Sequence, residues 1–215
     1  MANPAEQPTP TTPAAPAPTG RGRVRLRRAA LMAIPACVAA GALVTLTAQN
    51  VLATQFSISG MAFEVTADRL DGKGFEQFGT LDNMIENSPN AGDTGGQLFL
   101  VRTVVKTADL TNLCQSVNLG GINLLITAGD RGTPVHAENL TTDSDLMSGD
   151  AEFHGLEVGR DASTFDKGEV PGPPGMFGQQ GDTVAVDHFR QQNYATTAGT
   201  FRLPNMHLSF SADGC

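Results

Sequence analysis

The sequence predicts an all-β fold for the chain beyond residue 53. Three observations carry this: apolar residues that alternate with polar ones, Gly, Asn and Asp signals between the apolar runs, and no sustained helical period. The expected architecture is a single exported domain, residues 54–215, with an elongated or sandwich-like sheet of loosely repeated β-units, preceded by one hydrophobic N-terminal helix.

Residues 1–20 are rich in Pro, Ala and Thr without apolar periodicity; they bury no core and are expected to be a disordered tail. Residues 21–53 read as an export segment, either a signal peptide or a membrane anchor. Arg21, Arg23, Arg25, Arg27 and Arg28 precede the uncharged run Ala29–Ala48. At about 1.5 Å per residue that run spans roughly 30 Å, enough to cross a bilayer as a helix. Its length argues for an anchor. Its Ala-, Gly-, Thr- and Val-rich composition, Pro35, and the pair Val51 and Ala53 at the −3 and −1 positions argue for cleavage between Ala53 and Thr54. Arg27-Arg28 matches the twin-arginine motif poorly, and Cys37 after Ile34-Pro35-Ala36 is a small residue in an apolar run rather than a lipobox cysteine. Either route places the domain outside the cytoplasm, in the envelope or secreted, with the membrane as partner through residues 29–48 if the leader is retained.

The remaining 162 residues suffice for one domain with its own core. Of 14 Lys plus Arg, five belong to the leader; of 22 Asp plus Glu, only Glu6 precedes residue 54. Nine cations therefore face 21 anions, a net charge of −12. With no Trp, one Tyr and no basic patch, nucleic acid is not an expected partner. Cys114 and Cys215 form an even pair in an oxidising compartment and are expected to form a disulfide, with free thiols and intermolecular pairing as the alternatives.

Along the domain, Met61, Phe63 and Val65 alternate with Ala62, Glu64 and Thr66 as one strand. Leu98–Val105 and Ile122–Thr127 are β-rich runs suited to burial on both faces, and Val184 and Val186 alternate with Thr183, Ala185 and Asp187. Leu81–Asn87 is the best short helix candidate. Residues 87–96 and 168–181 read as irregular segments from their Gly and Pro content. A loose echo links 108–113, 151–156 and 200–206, with 67–75 as a further relative. Each sets a small residue, a large apolar one, an Asn or Gly, then a second apolar one, and the Asn or Gly is expected at a bend with left-handed backbone.

Asn112-Leu113-Cys114-Gln115-Ser116-Val117, Ala137-Glu138-Asn139-Leu140 and residues 195–201, Ala-Thr-Thr-Ala-Gly-Thr-Phe, resemble an uncharacterised family of exported actinobacterial proteins often labelled "cholesterol esterase". The resemblance covers the leader and most of residues 54–215. It implies an envelope or extracellular location and supplies no catalytic residues.

The residues themselves give that label little support. No serine has a Gly-x-Ser-x-Gly context: Ser59 lies in Ser-Ile-Ser-Gly-Met and Ser116 in Cys-Gln-Ser-Val-Asn. His136, His154, His188 and His207 read as surface strand residues. Asp143, Asp145, Asp150 and Glu152 depart from the EF-hand pattern and read as an acidic turn. No zinc spacing and no phosphate-cradling loop occurs, and Asn139-Leu140-Thr141 is a glycosylation sequon only in a eukaryotic pathway. No cofactor, metal site or catalytic residue is therefore expected. The functional expectation is a non-enzymatic cell-envelope or secreted β-domain, structural, adhesive or lipid-binding, with a lipid or sterol as ligand and its eleven Phe forming the core or lining a groove. The alternative is a secreted lipid-ester hydrolase.

Overall fold

The computed structural model describes residues 56–168 and 170–215. The disordered tail, the arginine cluster, the apolar run and the Ala53–Thr54 junction lie outside the described residues. The described residues form nine strands: β1 (Phe63–Asn83), β2 (Gln97–Thr111), β3 (Leu113–Asn118), β4 (Asn123–Ala128), β5 (Val135–His154), β6 (Glu157–Asp161), β7 (Phe177–Thr197), β8 (Thr200–Arg202) and β9 (His207–Ser211). They make one antiparallel sheet in the order β6-β7-β5-β2-β1-β3-β4-β9, with β8 on β5.

That sheet closes, because β7 also pairs with β1. Phe63 opposes Asn193, Asn193 opposes Ser144, Ser144 opposes Val101, and Val101 opposes Gly79. The path leaves β1 at Phe63 and returns to it at Gly79, a stagger of 16 residues. Over four strands, with a rise of ~3.3 Å and a spacing of ~4.8 Å, this stagger tilts the strands by ~70° to the barrel axis. The elongated or sandwich-like expectation thus resolves into a steeply wound closed sheet whose ends run past the ring as flaps.

The winding has a local cause. Left-handed backbone occurs at Asn112 (φ 53°), Asn139 (φ 52°), His188 (φ 53°) and Gly74 (φ 68°), all within or between long strands. These positions line up. Gly74 and Asn139 flank Lys106 in one row across β1, β2 and β5. Asn112, Asp68 and His188 share another row across β2, β1 and β7. At each row the buried positions jump by three residues instead of two: Ala67 to Leu70, Val105 to Ala108, Ala137 to Leu140, Val186 to Phe189. The rows are creases that bend the sheet inward and keep its apolar face on the core. The echo residues Asn112, Gly155 (φ 63°) and Asn205 (φ 54°) have the expected left-handed backbone.

The main core gathers Val65, Leu70, Phe75, Val105, Leu110, Leu113, Leu140, Val186 and Phe189 inside the ring. The opposite face is covered in two places. Ile58 and Met84 pack on Leu100 and Ala195. A strap, residues 162–176, lays Ala162 and Phe165 over Phe78 and Val104. Two buried polar side chains hold the strap. Glu76 Oε1 accepts from the Lys167 and Gly168 backbone N–H groups, and Gln180 Oε1 accepts from the Asp166 N–H at 3.0 Å.

Three expectations are corrected. The irregular segment expected at 168–181 ends early: β7 begins at Phe177 and pairs there with β1 and β6. Leu81–Asn87 is not a helix: β1 runs to Asn83 and Met84 makes a bridge to Ile58, because pairing with β2 outweighs a weak local preference. Asp143 to Glu152 is not a turn but part of β5, paired with β7. Asp143 is buried because Arg102 neutralises it, whereas Asp145, Asp150 and Glu152 face solvent.

Candidate functional site

A partly open cavity of about 50 Å³ lies between the ring strands, β3 and β8. Its lining mixes apolar side chains, among them Val65, Leu110, Leu113, Leu140 and Phe189, with polar ones, Thr103, Gln115, Thr142, Gln191, Asn193 and Thr196. Polar side chains of the lining are tied by hydrogen bonds: Gln191 Nε2 donates to Thr142 Oγ1 at 3.1 Å and to Ser144 Oγ at 3.0 Å, and Gln77 Nε2 donates to Thr103 Oγ1 at 3.0 Å. No described protein group hydrogen-bonds to Asn193 Oδ1 or Thr196 Oγ1. The space suits a solute of a few heavy atoms or a few waters. It is far below the roughly 300–1,000 Å³ of pockets that take drug-sized ligands, so a sterol does not fit inside the ring as it stands.

The inner face continues past the cavity to the C-terminal end of β1. Leu81 opposes Phe99 and Gly79 opposes Val101; Gln77 opposes Gln179, which opposes Val158, with Phe177 two residues from Gln179 on the same face. Here it is exposed: Phe99 is 69% accessible, Phe177 66% and Val158 61%. Gly79 makes room for this, since a Cβ there would stand 2.8 Å from the Phe99 ring and 3.0 Å from Met176 Sδ. The phenylalanines therefore divide. Phe75, Phe78, Phe165 and Phe189 are core, while Phe56, Phe99, Phe177, Phe201 and Phe210 are exposed.

Cys114 and Cys215 are bonded, with Cα atoms 5.9 Å apart. The Cys215 N–H also donates to Ser116 Oγ at 3.0 Å, tying the segment after β9 to β3. The histidines are scattered over separate strand positions. His136 Nδ1 lies 2.7 Å from Asp109 Oδ1, His188 Nδ1 lies 2.9 Å from Asp150 Oδ2, and His154 Nε2 lies 3.4 Å from Glu152. Each of these partners is an acid rather than a serine. The Asp150 hydrogen bond raises the His188 imidazole above its ordinary value. Among the described residues, no group of three or more His, Cys, Asp or Glu is arranged to hold a metal, and no helix is long and apolar enough to cross a membrane. The polar part of the lining and the exposed inner face were not singled out from sequence; the only local signal was Phe177 next to Gly178, and Phe99 between Leu98 and Leu100 carried none.

The geometry defines a class: a disulfide-pinned, closed antiparallel β-domain with an amphipathic interior and an apolar face left open. The chain belongs to the family of unknown function DUF6230, whose model matches residues 59–215. That description assigns no activity and does not link the chain to the cholesterol-esterase label. No curated protein and no solved structure matches the chain.

Proposed function

We propose that this protein is an exported, non-enzymatic β-domain of the cell envelope, tethered through residues 29–48 or released after Ala53, that adheres to lipid and other apolar surfaces through an open sheet face. The observation that carries the reading is the contiguous exposed face of Leu81, Phe99, Val101, Val158 and Phe177. Contiguous apolar patches on a soluble domain mark interaction surfaces, and five large side chains on one face of a domain with net charge −12 favour neutral, apolar partners over anionic ones. Lipid contact through a face, with the acyl or sterol body outside the ring, also accommodates the small cavity.

The test is co-sedimentation of residues 54–215 with neutral phosphatidylcholine vesicles, with and without sterol. The wild type is expected to bind, and Phe99→Lys and Phe177→Lys to abolish binding. Absence of binding by the wild type, or binding unaffected by both variants, refutes the reading. Turnover of cholesteryl or p-nitrophenyl esters that a single Ser or His substitution abolishes replaces it with the hydrolase. Export is tested by N-terminal sequencing of the mature protein, where Thr54 as first residue indicates release and an intact leader a tether. A reporter fused after Cys215 that works in the cytoplasm contradicts export.

A further inference from the structure

The path of the sheet ends in two strands, β6 and β9, which are finished differently; the three-residue β8 flanks β5 as a further short edge. β6, at one end, carries Glu157, Arg160 and Asp161 within five residues and a register shift between Val158 and Arg160. Charges and bulges of this kind stop an edge from pairing with another chain. β9, at the other end, pairs with β4 alone in the described chain and has neither device. Its residues, His-Leu-Ser-Phe-Ser, include no Asp, Glu, Lys, Arg or Pro, and Leu208 and Phe210 are 51% and 64% accessible. The strands that carry it are equally neutral: residues 113–128 and 203–212 contain no Asp, Glu, Lys or Arg. On a domain with nine cations and 21 anions, that neutrality marks a place where a second acidic body approaches without repulsion.

We propose that β9 is a pairing edge and that its partner is β9 of a second copy of this chain, running antiparallel with Ser209 on the two-fold axis. The strand is self-complementary in this register, which pairs all five of its residues. Leu208 then opposes Phe210 of the other copy, and Phe210 opposes Leu208. Within one copy, Phe210 opposes Leu124 and Leu208 opposes Ile126. The two-fold therefore runs an unbroken apolar row through both flaps, and the unpaired N–H and C=O groups of two edges satisfy each other. A second copy is favoured over an unrelated extended peptide because the alternation of serine and apolar residues matches itself and because like-charged bodies meet here on their uncharged strip. The edge belongs to strands that join β1 at Glu64–Thr66, whereas the Phe99–Phe177 face lies around Gly79, so this pairing does not rest on the lipid contact proposed above.

Sedimentation velocity on the full chain in mild detergent tests the pairing. The wild type is expected to be a dimer. Leu208→Lys and Phe210→Glu are each expected to weaken it by about tenfold or more. The double variant L208K/F210E is expected to restore it, because the ammonium introduced in each copy then opposes the carboxylate introduced in the other across the two-fold. Both side chains are exposed, and an intact Cys114–Cys215 bond with an unchanged β-type circular dichroism spectrum verifies that each variant is folded. A wild type that stays monomeric up to about 100 µM overturns the proposal. So does a dimer indifferent to both single variants, or one that the double variant fails to restore. Loss of vesicle binding in the single variants of a monomeric wild type assigns the strand to lipid instead.

Discussion

Arg102 and Asp143 oppose each other across β2 and β5 and make a two-point clamp, Nε to Oδ1 and Nη2 to Oδ2, each at 2.7 Å. The same Nη2 stands 3.4 Å from Asp82 Oδ1, so one cation serves two sequestered carboxylates. The better-placed Asp143 takes the larger share. Burial, and then the Asp143 charge, push the Asp82 carboxyl up to about 6.

A carboxyl raised in the folded state adds stability below its unfolded value and loses that contribution as pH rises through the folded one. The wild type is therefore expected to lose about 1–2 kcal/mol between pH 4 and pH 7 from this group, the shift being discounted for solvent screening. Asp82→Asn should lack that loss, with the two proteins converging near pH 4. Urea titrations at several pH values read this directly, and parallel profiles would contradict it.

Glu76 follows the same sign. Burial raises its carboxyl against the opposing pull of the Gly168 and Lys167 N–H groups, and its Oε2 has no hydrogen-bond partner. Glu76→Gln keeps an acceptor for both N–H groups and should be at least as stable as wild type at pH 8. Glu76→Ala should cost about 1–3 kcal/mol and release the strap. Limited trypsinolysis at Lys167 separates the two, with cleavage fast only in the alanine variant.

The disulfide closes a loop with a sequence separation of 101. Cys114→Ser is expected to lower stability by about 2–5 kcal/mol. The loss should appear in guanidinium melts under non-reducing conditions and vanish when both proteins are reduced.

The creases give a sharper test. Asn139 has φ 52°, a backbone that β-branched residues resist. Asn139→Val should destabilise by about 1–2 kcal/mol while Asn139→Gly stays near neutral, as measured by thermal melts. Equal effects would mean that the position tolerates an extended backbone and that the crease is not essential.

Much of this was legible in the chain. Alternation at Met61–Val65, of which β1 takes Phe63 onward, and at Val184–Val186 announced strands, the echo around Asn112, Gly155 and Asn205 announced the left-handed bends, and the even cysteine count announced the bond. The closure was not legible, because Phe63 and Asn193 lie far apart in sequence and nothing local pairs them. The creases also blurred the pattern. A core step of three, such as Ala137 to Leu140, interrupts a period of two, so long strands read as short ones. Glu76, Asp82, Asp143 and Gln180 were invisible as interior residues, since a polar side chain in a strand reads as outward-facing until its covering strap or clamp is seen. The Phe99–Phe177 face was hidden for the converse reason: apolar residues read as core.

A ring that returns to its first strand 16 residues further on has no free end at which an error can be absorbed. In an open sheet, one residue gained or lost displaces only what lies beyond it. Here it would travel around the circuit to the β1–β7 seam unless a bulge took it up, as the β5–β7 pairing already does between Asp143 and Asp150. Substitution should therefore be the tolerated mode of change within the four long strands, and length variation should be concentrated in the connections at residues 85–96 and 129–134, since the strap at 162–176 is itself fixed on the core.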